Sequence, residues 1–543
     1  MTRQMLRQRI AAHLKREYGL EISPIITRAT VGFGEWTSNA PLQAAKQLNQ
    51  APEQIGHTLK AEIMAHFPGR VELQAGRLNF FMSDDFFRST LEQATRDGAH
   101  FGAGEALASQ RILVEYVSAD PTGPLSFVAG RHAALGESLC RLLEWQGARV
   151  TREFYLNDAT SSSKIRLLGE GVAHWYLEAF GRAPKRESEG ISDVFVRGIA
   201  AELARRDGAK WLDSSPEERI GAGSRAALES AVAAQKATLE RFGVRFDEWV
   251  SETDLRNEGR VEALFERFAE RGLSYSSDGA LWLKTSAFGD EADRVLQRRD
   301  GKPTYFAGDM AHHLWKAERG YNRIINIWSV EHKPYITRTK AALQAAGCDL
   351  ESFEFLVAEG AVLKRDGATL RLGSGGGPLL LEEELEEIGS DALKFYFVGT
   401  PAAKTAEIDL EIARRDDETS AAYAAQLLPS RLARLEREAQ GKMAASDAAR
   451  TADETAEWSP GEREVARLVA LWSDETAEAA LRRDPSRVTR WVGEMSAATR
   501  VLLEKTAPHS NVPLPQRLQL LRAALHATTG ALKLLGMEAH EKF

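Results

Sequence analysis

Apolar positions recur along this chain with two different periods. Thr2–Glu17, Ala40–Leu48 and Pro52–Phe67 repeat them at helical spacing, and the short runs Val71–Leu73 and Leu78–Phe81 follow with strand character. Ile112-Leu113-Val114 is an apolar, β-branched run that reads as a buried strand. Pro121 and Gly123 break it, and between Ala133 and Leu143 the side chains of Leu135, Leu139, Leu142 and Leu143 share one side of a helix. Val150–Asn157 reads as a second strand. A charged stretch of helical period runs from Ser161 to about Phe246, and strand-like pieces return at Ala280–Lys284, Thr304–Ala307, Arg323–Trp328 and Phe353–Ala358. Strands alternating with helices predict an α/β fold, a doubly wound parallel sheet interrupted by a helical insertion. From Asp409 to Phe543 the pattern is nearly all helical, with Ala444–Ser459 a polar loop.

Composition narrows the classes. A chain of 543 residues, 43% hydrophobic and 27% charged, is that of a globular protein with roughly two to four domains. No apolar run is long enough to span a bilayer, and the first twenty residues lack the apolar core of a secretion signal. Cys140 and Cys348 make neither a disulfide framework nor a metal set, which predicts a reducing, cytoplasmic setting and no bound metal. A net charge of −8 argues against a generally basic nucleic-acid binder and leaves a local patch open.

Strand, tight Gly/Pro turn and helix around Pro121 is the nucleotide-binding arrangement of α/β proteins, in which helix amides face a phosphate. The residues there are more specific than the pattern. VEYVSADPTGPL, followed by GRHAALGESLCRLLEWQGARVTREFYLNDA, resembles the start of the catalytic domain of bacterial arginyl-tRNA synthetases, a class I family. In that family the segment runs S-A-N-P-T-G-P-L-H-[IVL]-G-H-[AG]-R-G-A-x-x-G-D. GEWTSNAPLQAAKQL and LNFFMS stand where the family's N-terminal domain has G-D-[YF]-[SA]-[ST]-N and I-N-F-F-L-S. Asp391-Ala392-Leu393-Lys394 resembles its D-A-L-R element, and LKLLGMEAHEKF its terminus. The resemblance implies an N-terminal α+β domain of the tRNA-elbow type over residues 1–108. A Rossmann-like catalytic domain follows over 109–398, with its helical insertion at about 161–246. A helical anticodon-binding domain completes the chain over 399–543.

The same resemblance marks what has changed. The family's HIGH tetrapeptide falls on Ser126-Phe127-Val128-Ala129, with both histidines and the glycine gone. Its K-M-S-K window falls on Leu370-Arg371-Leu372-Gly373, where no lysine remains. A serine hydroxyl carries no positive charge and alanine offers no donor, whereas each positioned donor at a phosphate is worth on the order of 10²–10³ in rate. The following SGGGP lacks the G-K-[ST] ending of a phosphate loop. Lys364, Arg365 and Arg371 are the cations left nearby. W-G-A-D-H-H-G-Y has become Trp328–Tyr335, in which Glu331 and His332 are a remnant of the nucleotide site.

By contrast Glu115, Tyr305 and Asp309 match the family's grip on the arginine guanidinium, a planar cation suited to carboxylates in bidentate reach. Ser118 and Asp120 match the group around the α-amino end, with Asp120 in place of asparagine. On the anticodon side Tyr423, Gln426 and Arg431 remain, while two aromatic positions have become Ala424 and Leu427. Stacking on such aromatics is worth ~1–3 kcal/mol per base.

The expectation is a family member that has lost ATP-dependent aminoacylation and keeps a pocket for L-arginine or another guanidinium ligand. Its further partners are tRNA or another protein, and not a membrane. ATP and Mg enter only under the alternative, a diverged but active arginine–tRNA ligase. A third reading is a new reaction on arginine or arginyl-tRNA that reuses Ser126, His132 or His332.

Overall fold

The computed structural model describes residues 2–30, 32–159, 162–182, 193–370, 378–445, 458–505 and 514–540. Its centre is a five-stranded parallel sheet. In chain order the strands are β1 (Arg111–Glu115), β2 (Arg149–Leu156), β3 (Glu248–Ser251), β4 (Arg323–Ser329) and β5 (Phe353–Ala358). Across the sheet they run β5-β4-β1-β2-β3, each pair parallel. Ile112, Leu113 and Val114 of β1 are fully buried, because elements cover both faces. Strand order reverses between β1 and β4, and a crevice opens at the carboxyl ends of strands at such a point.

Two helices frame that crevice, α1 (Phe127–Trp145) after β1 and α2 (Tyr305–Glu318) before β4. A Cβ on Gly136 of α1 would lie 2.2 Å from the Tyr116 ring, so only glycine lets the helix settle on the strand end. Both helices begin at hydroxyl caps: Ser126 Oγ accepts the Ala129 N–H, and Thr304 Oγ1 accepts the Ala307 N–H, each at 3.2 Å. The second cap overturns the strand expected at Thr304–Ala307. One side-chain-to-backbone bond outweighs the strand preference of Thr, Tyr and Phe. The first starts α1 well before the periodic leucines that announced it. The helix from Pro52 ends at Met64, short of Phe67. β3, four residues long, carried no strand signal in the sequence.

Helices Ser163–Ala179, Asp193–Asp207 and Pro216–Arg241 form the insertion between β2 and β3. Ahead of β1 lies an antiparallel sheet of Ile26–Arg28, Trp36–Ser38, Arg77–Met82 and Gly69–Gln74. The C-terminal part packs four long helices, Ala421–Ala445, Pro460–Leu481, Ser486–Lys505 and Leu514–Leu535, with Trp472 and Trp491 in contact at their centre. Most of the polar loop expected at 444–459 lies outside the described residues. The first helix is tied to the helix Pro460–Leu481 by ion pairs, Arg3 with Asp474 and Glu475, and Arg7 with Glu478 at 2.7 Å. Among the described residues no helix is long and apolar enough to cross a membrane.

Candidate functional site

At the carboxyl ends of β1, β2 and β4 lies a cavity of about 620 Å³ that collects residues from far-apart stretches of sequence. It brings together Glu115, Ser118, Asp120, Tyr305 and Asp309 with Ser126, Val128 and Ala129, and with Glu331 and His332. Phe127 is turned away, fully buried with its ring 5.0 Å from Phe397. Of the K-M-S-K window, Arg371, Leu372 and Gly373 lie outside the described residues, and Leu370 packs at the edge of the core. The nearby cations are committed elsewhere, Lys364 to Glu407 and Arg365 to Glu387.

The end of the cleft at Glu115 is the more tightly built. Just after β1, Val117 and Ser118 both take positive φ, 67° and 39°, a conformation that a β-branched valine rarely adopts. The kink turns the Ser118 hydroxyl back to donate to Glu115 Oε1 at 2.8 Å and to accept the Tyr155 N–H at 3.1 Å. Glu115 Oε2 is engaged from below. Lys316 of α2 donates to it at 2.6 Å and to Asn326 Oδ1 at 2.7 Å. Burial alone raises the Glu115 carboxyl, but Lys316 beside it prevails and holds it at about 2, so it is ionised. The partner is thus a lysine 201 positions away. Arg131, the other candidate, donates instead to backbone carbonyls of Glu359, Phe397, Pro401 and Lys404.

Beneath this pair Glu153 takes His312 Nε2 at 2.9 Å and Arg319 at 2.8 Å. Glu115, Glu153 and His312 are close enough together to hold a metal ion. Lys316, 2.6 Å from Glu115 and 3.9 Å from Glu153, already supplies the positive charge there, so the donor set does not fit one.

Asp309 lacks such a partner. Removal from water and then Glu115 push its carboxyl up to about 7, with Lys316 pulling the other way. Its nearest basic group is His313 Nδ1 at 3.6 Å, whose ring burial keeps neutral. Asp120 is paired to Lys164 and accepts from Asn157 Nδ2 at 3.3 Å. The cavity lining therefore holds four acidic side chains, Glu115, Asp120, Asp309 and Glu331, of which Lys316 neutralises Glu115 from below and Lys164 neutralises Asp120. Such a wall attracts a cation and repels a polyphosphate.

The opposite end is built differently. Ser126 spends its hydroxyl as a helix cap, Ala129 contributes a methyl group, and Val128 is 37% exposed. Glu331 and His332 sit in an exposed turn after β4, His332 Nδ1 with Ser329 Oγ at 2.8 Å. His132 is a residue the motif did not point to. It stands where the family pattern has glycine, lines the cavity, and leaves Nε2 without a protein partner. Tyr155, unlike His132, was not singled out in the sequence. It lines the cavity, stacks on His312 at 4.0 Å and has a buried hydroxyl without a protein partner. No word that marks a site in sequence singles out Tyr155.

Tyr423 and Gln426 lie apart from this cleft, on the wall of a second cavity of about 340 Å³ with Asp391, Arg414 and Arg415. Gln426 reaches Asp391 at 3.4 Å, and Arg431 is ion-paired with Glu418.

Comparison with known proteins agrees with this layout. Residues 4–82 match the family model for the arginyl tRNA synthetase N terminal domain, and residues 214–395 that for the class I (R) tRNA synthetase catalytic domain. The arginine–tRNA ligase of Moorella thermoacetica is 33% identical, over 94% of this chain and 92% of its own. That of Bacillus subtilis is 31% identical over the same shares. The arginyl-tRNA synthetase of Thermus thermophilus superposes with a TM-score of 0.77 over 100% of both chains at 22% identity. That of Plasmodium falciparum does so with 0.73 over 99% of both at 11% identity. At those identities the two structures speak for the fold alone, and the sequence relatives carry the family. With the class I catalytic sheet at its centre and relatives matched over nearly its whole length, this chain belongs to the arginyl-tRNA synthetase family.

Proposed function

We propose that this protein binds L-arginine, or a ligand carrying the same guanidinium group, in the cleft between β1, β4 and α2, and does not adenylate it. The observation that carries the reading is the charge of the lining. Four acidic side chains line it, Lys316 and Lys164 answer only Glu115 and Asp120, and burial, followed by Glu115, holds Asp309 near 7. A guanidinium between Glu115 and Asp309 supplies positive charge in a planar, bidentate form. In this reading Ser118 and Asp120 take the α-ammonium. The phosphate end favours the second half of the proposal, since Ser126 and Ala129 offer no cation and Val128 narrows the approach.

The second reading is an active arginine–tRNA ligase using ATP, and the names of the relatives favour it. It requires a phosphate-binding set other than the family's. Arginylation of total tRNA with ATP, beside an intact family member, separates the two. The expected result is no charging above background, with arginine binding by calorimetry. Charging at roughly a tenth of the control rate or better overturns the first reading. Absence of arginine binding at millimolar concentration removes its ligand half.

The remaining assignments follow the family. Residues 1–108, 109–398 and 399–543 are three domains, and Tyr423, Gln426 and Arg431 are a reduced tRNA contact. Two cysteines without a disulfide support a cytoplasmic setting.

A further inference from the structure

Free arginine carries three charges, and the carboxyl and hydroxyl groups of Glu115, Ser118, Asp120 and Asp309 answer only the two positive ones. Its α-carboxylate needs a partner of its own, because an ion left unpaired in a cleft is costly. None of the four acidic side chains of the lining can supply one.

Lys164 can. Among the described residues it is the only lysine or arginine that lines the cavity. It comes from outside the parallel sheet, on the first turn of the insertion helix Ser163–Ala179. Its ammonium donates to Asp120 Oδ2, while Asp120 Oδ1 accepts from Asn157 Nδ2 at 3.3 Å. The lysine side chain is 66% exposed and the aspartate 37%, so the pair adds little to the stability of the fold and is open to a ligand. An ammonium has three N–H donors, and the bond to Asp120 uses one of them.

The turn that carries Asp120 is held without that lysine. Gln235, 1% exposed on the helix Pro216–Arg241, donates its side-chain amide to the carbonyls of Asp120 at 3.1 Å and Gly123 at 3.0 Å. The insertion thus grips the turn by its backbone, and Lys164 is not required as a strut. Asp120 also stands where the family pattern has asparagine. An asparagine side chain offers both a donor and an acceptor, and an ionised aspartate only acceptors. Lys164 beside Asp120 returns the donor, now with a full charge.

We propose that Lys164 is the carboxylate-binding residue of the cleft and makes it selective for the free amino acid over arginine derivatives that lack a carboxylate. Asp120 takes the α-ammonium and Lys164 the α-carboxylate, so that four charges of alternating sign close on one another. This inference rests on the arginine reading above.

Calorimetry on the full chain with L-arginine, L-argininamide and agmatine tests it. All three carry the guanidinium and the amine, and only arginine has the carboxylate. Arginine is expected to bind roughly tenfold more tightly than either of the others, the lower end of what a hydrogen bond between charged groups supplies, because Lys164 is exposed to solvent. Lys164→Met is expected to bring that ratio close to one by weakening arginine alone, and Lys164→Arg to retain most of it. Thermal melting checks that both variants fold. If the lysine served only to hold Asp120, Lys164→Met would weaken all three ligands equally, and that result overturns the inference. So does a ratio unmoved by Lys164→Met, or argininamide and agmatine binding the unaltered protein as tightly as arginine does, with the guanidinium pocket left in place in each case. Failure of all three ligands at millimolar concentration, agmatine included, overturns the arginine reading and this inference with it.

Discussion

The two ends of one cleft differ in how deeply their side chains are interlocked. At the Glu115 end, the carboxylate is bonded on both oxygens, by Ser118 and by Lys316, and the pair stands on a buried layer of Asn326, Glu153, His312 and Arg319. At the α1 end, Ser126 caps its own helix, and Glu331 and His332 sit in an exposed turn. A buried charge cannot change without stranding its partner, whereas an exposed one leaves nothing unpaired behind it. The family's residues survive at the interlocked end and are replaced at the open one. The difference teaches that survival of a motif residue here reports two things at once, ligand binding and the cost of removing it from its own network.

Lys316→Met separates those two meanings most sharply. It leaves Glu115 and Glu153 buried with less positive charge, and a loss of about 3–5 kcal/mol in unfolding free energy is expected by denaturant titration. A loss below about 1 kcal/mol would show that the buried layer does not hold the Glu115 end in place. Asp309→Asn asks the opposite question, because Asp309 has no strong internal partner. Arginine affinity should fall by roughly a hundredfold or more in calorimetry, while stability is kept or raised.

The pH dependence sharpens the same point. Asp309 is raised to about 7 from an ordinary 3.8. The folded protein therefore holds a proton that the unfolded chain has released, and the stability this group contributes is present below about 4 and lost as pH rises to 7. A cationic ligand binds the ionised form, so arginine affinity should rise about tenfold from pH 6 to pH 8. Asp309→Asn should flatten both profiles, and an unchanged arginine profile in that variant would assign the proton to another group. The smallest effect belongs to the open end. Ser126→Ala should cost about 1 kcal/mol of stability as a lost helix cap and move arginine affinity by less than about twofold. A larger change in affinity would make the hydroxyl a ligand contact.

What could be read in the sequence alone was whatever depends on near neighbours along the chain. The apolar run of β1 is where the periodicity put it, Ala40–Leu48 is a helix from end to end, and β5 has the bounds Phe353–Ala358 that its pattern implies. Glu115, Ser118, Asp120, Tyr305 and Asp309 were legible because they sit inside or beside recognisable words, and the structure brings them to one cavity. Local reading failed where a single bond to the backbone decides, as at Thr304, which starts a helix where β-branched and aromatic residues suggested a strand. It was also silent on groups whose meaning comes from across the fold. Lys316 is one more lysine of an amphipathic helix until the sheet places it against Glu115, 201 positions away. His132 and Tyr155 come to line one cavity, each with a buried polar atom that has no protein partner, only when α1, β2 and α2 are packed together. Composition and periodicity act over a few residues and settle which segments are strands and helices. The charge balance of the cleft is a sum over residues from position 115 to position 331, and only the tertiary structure performs that sum.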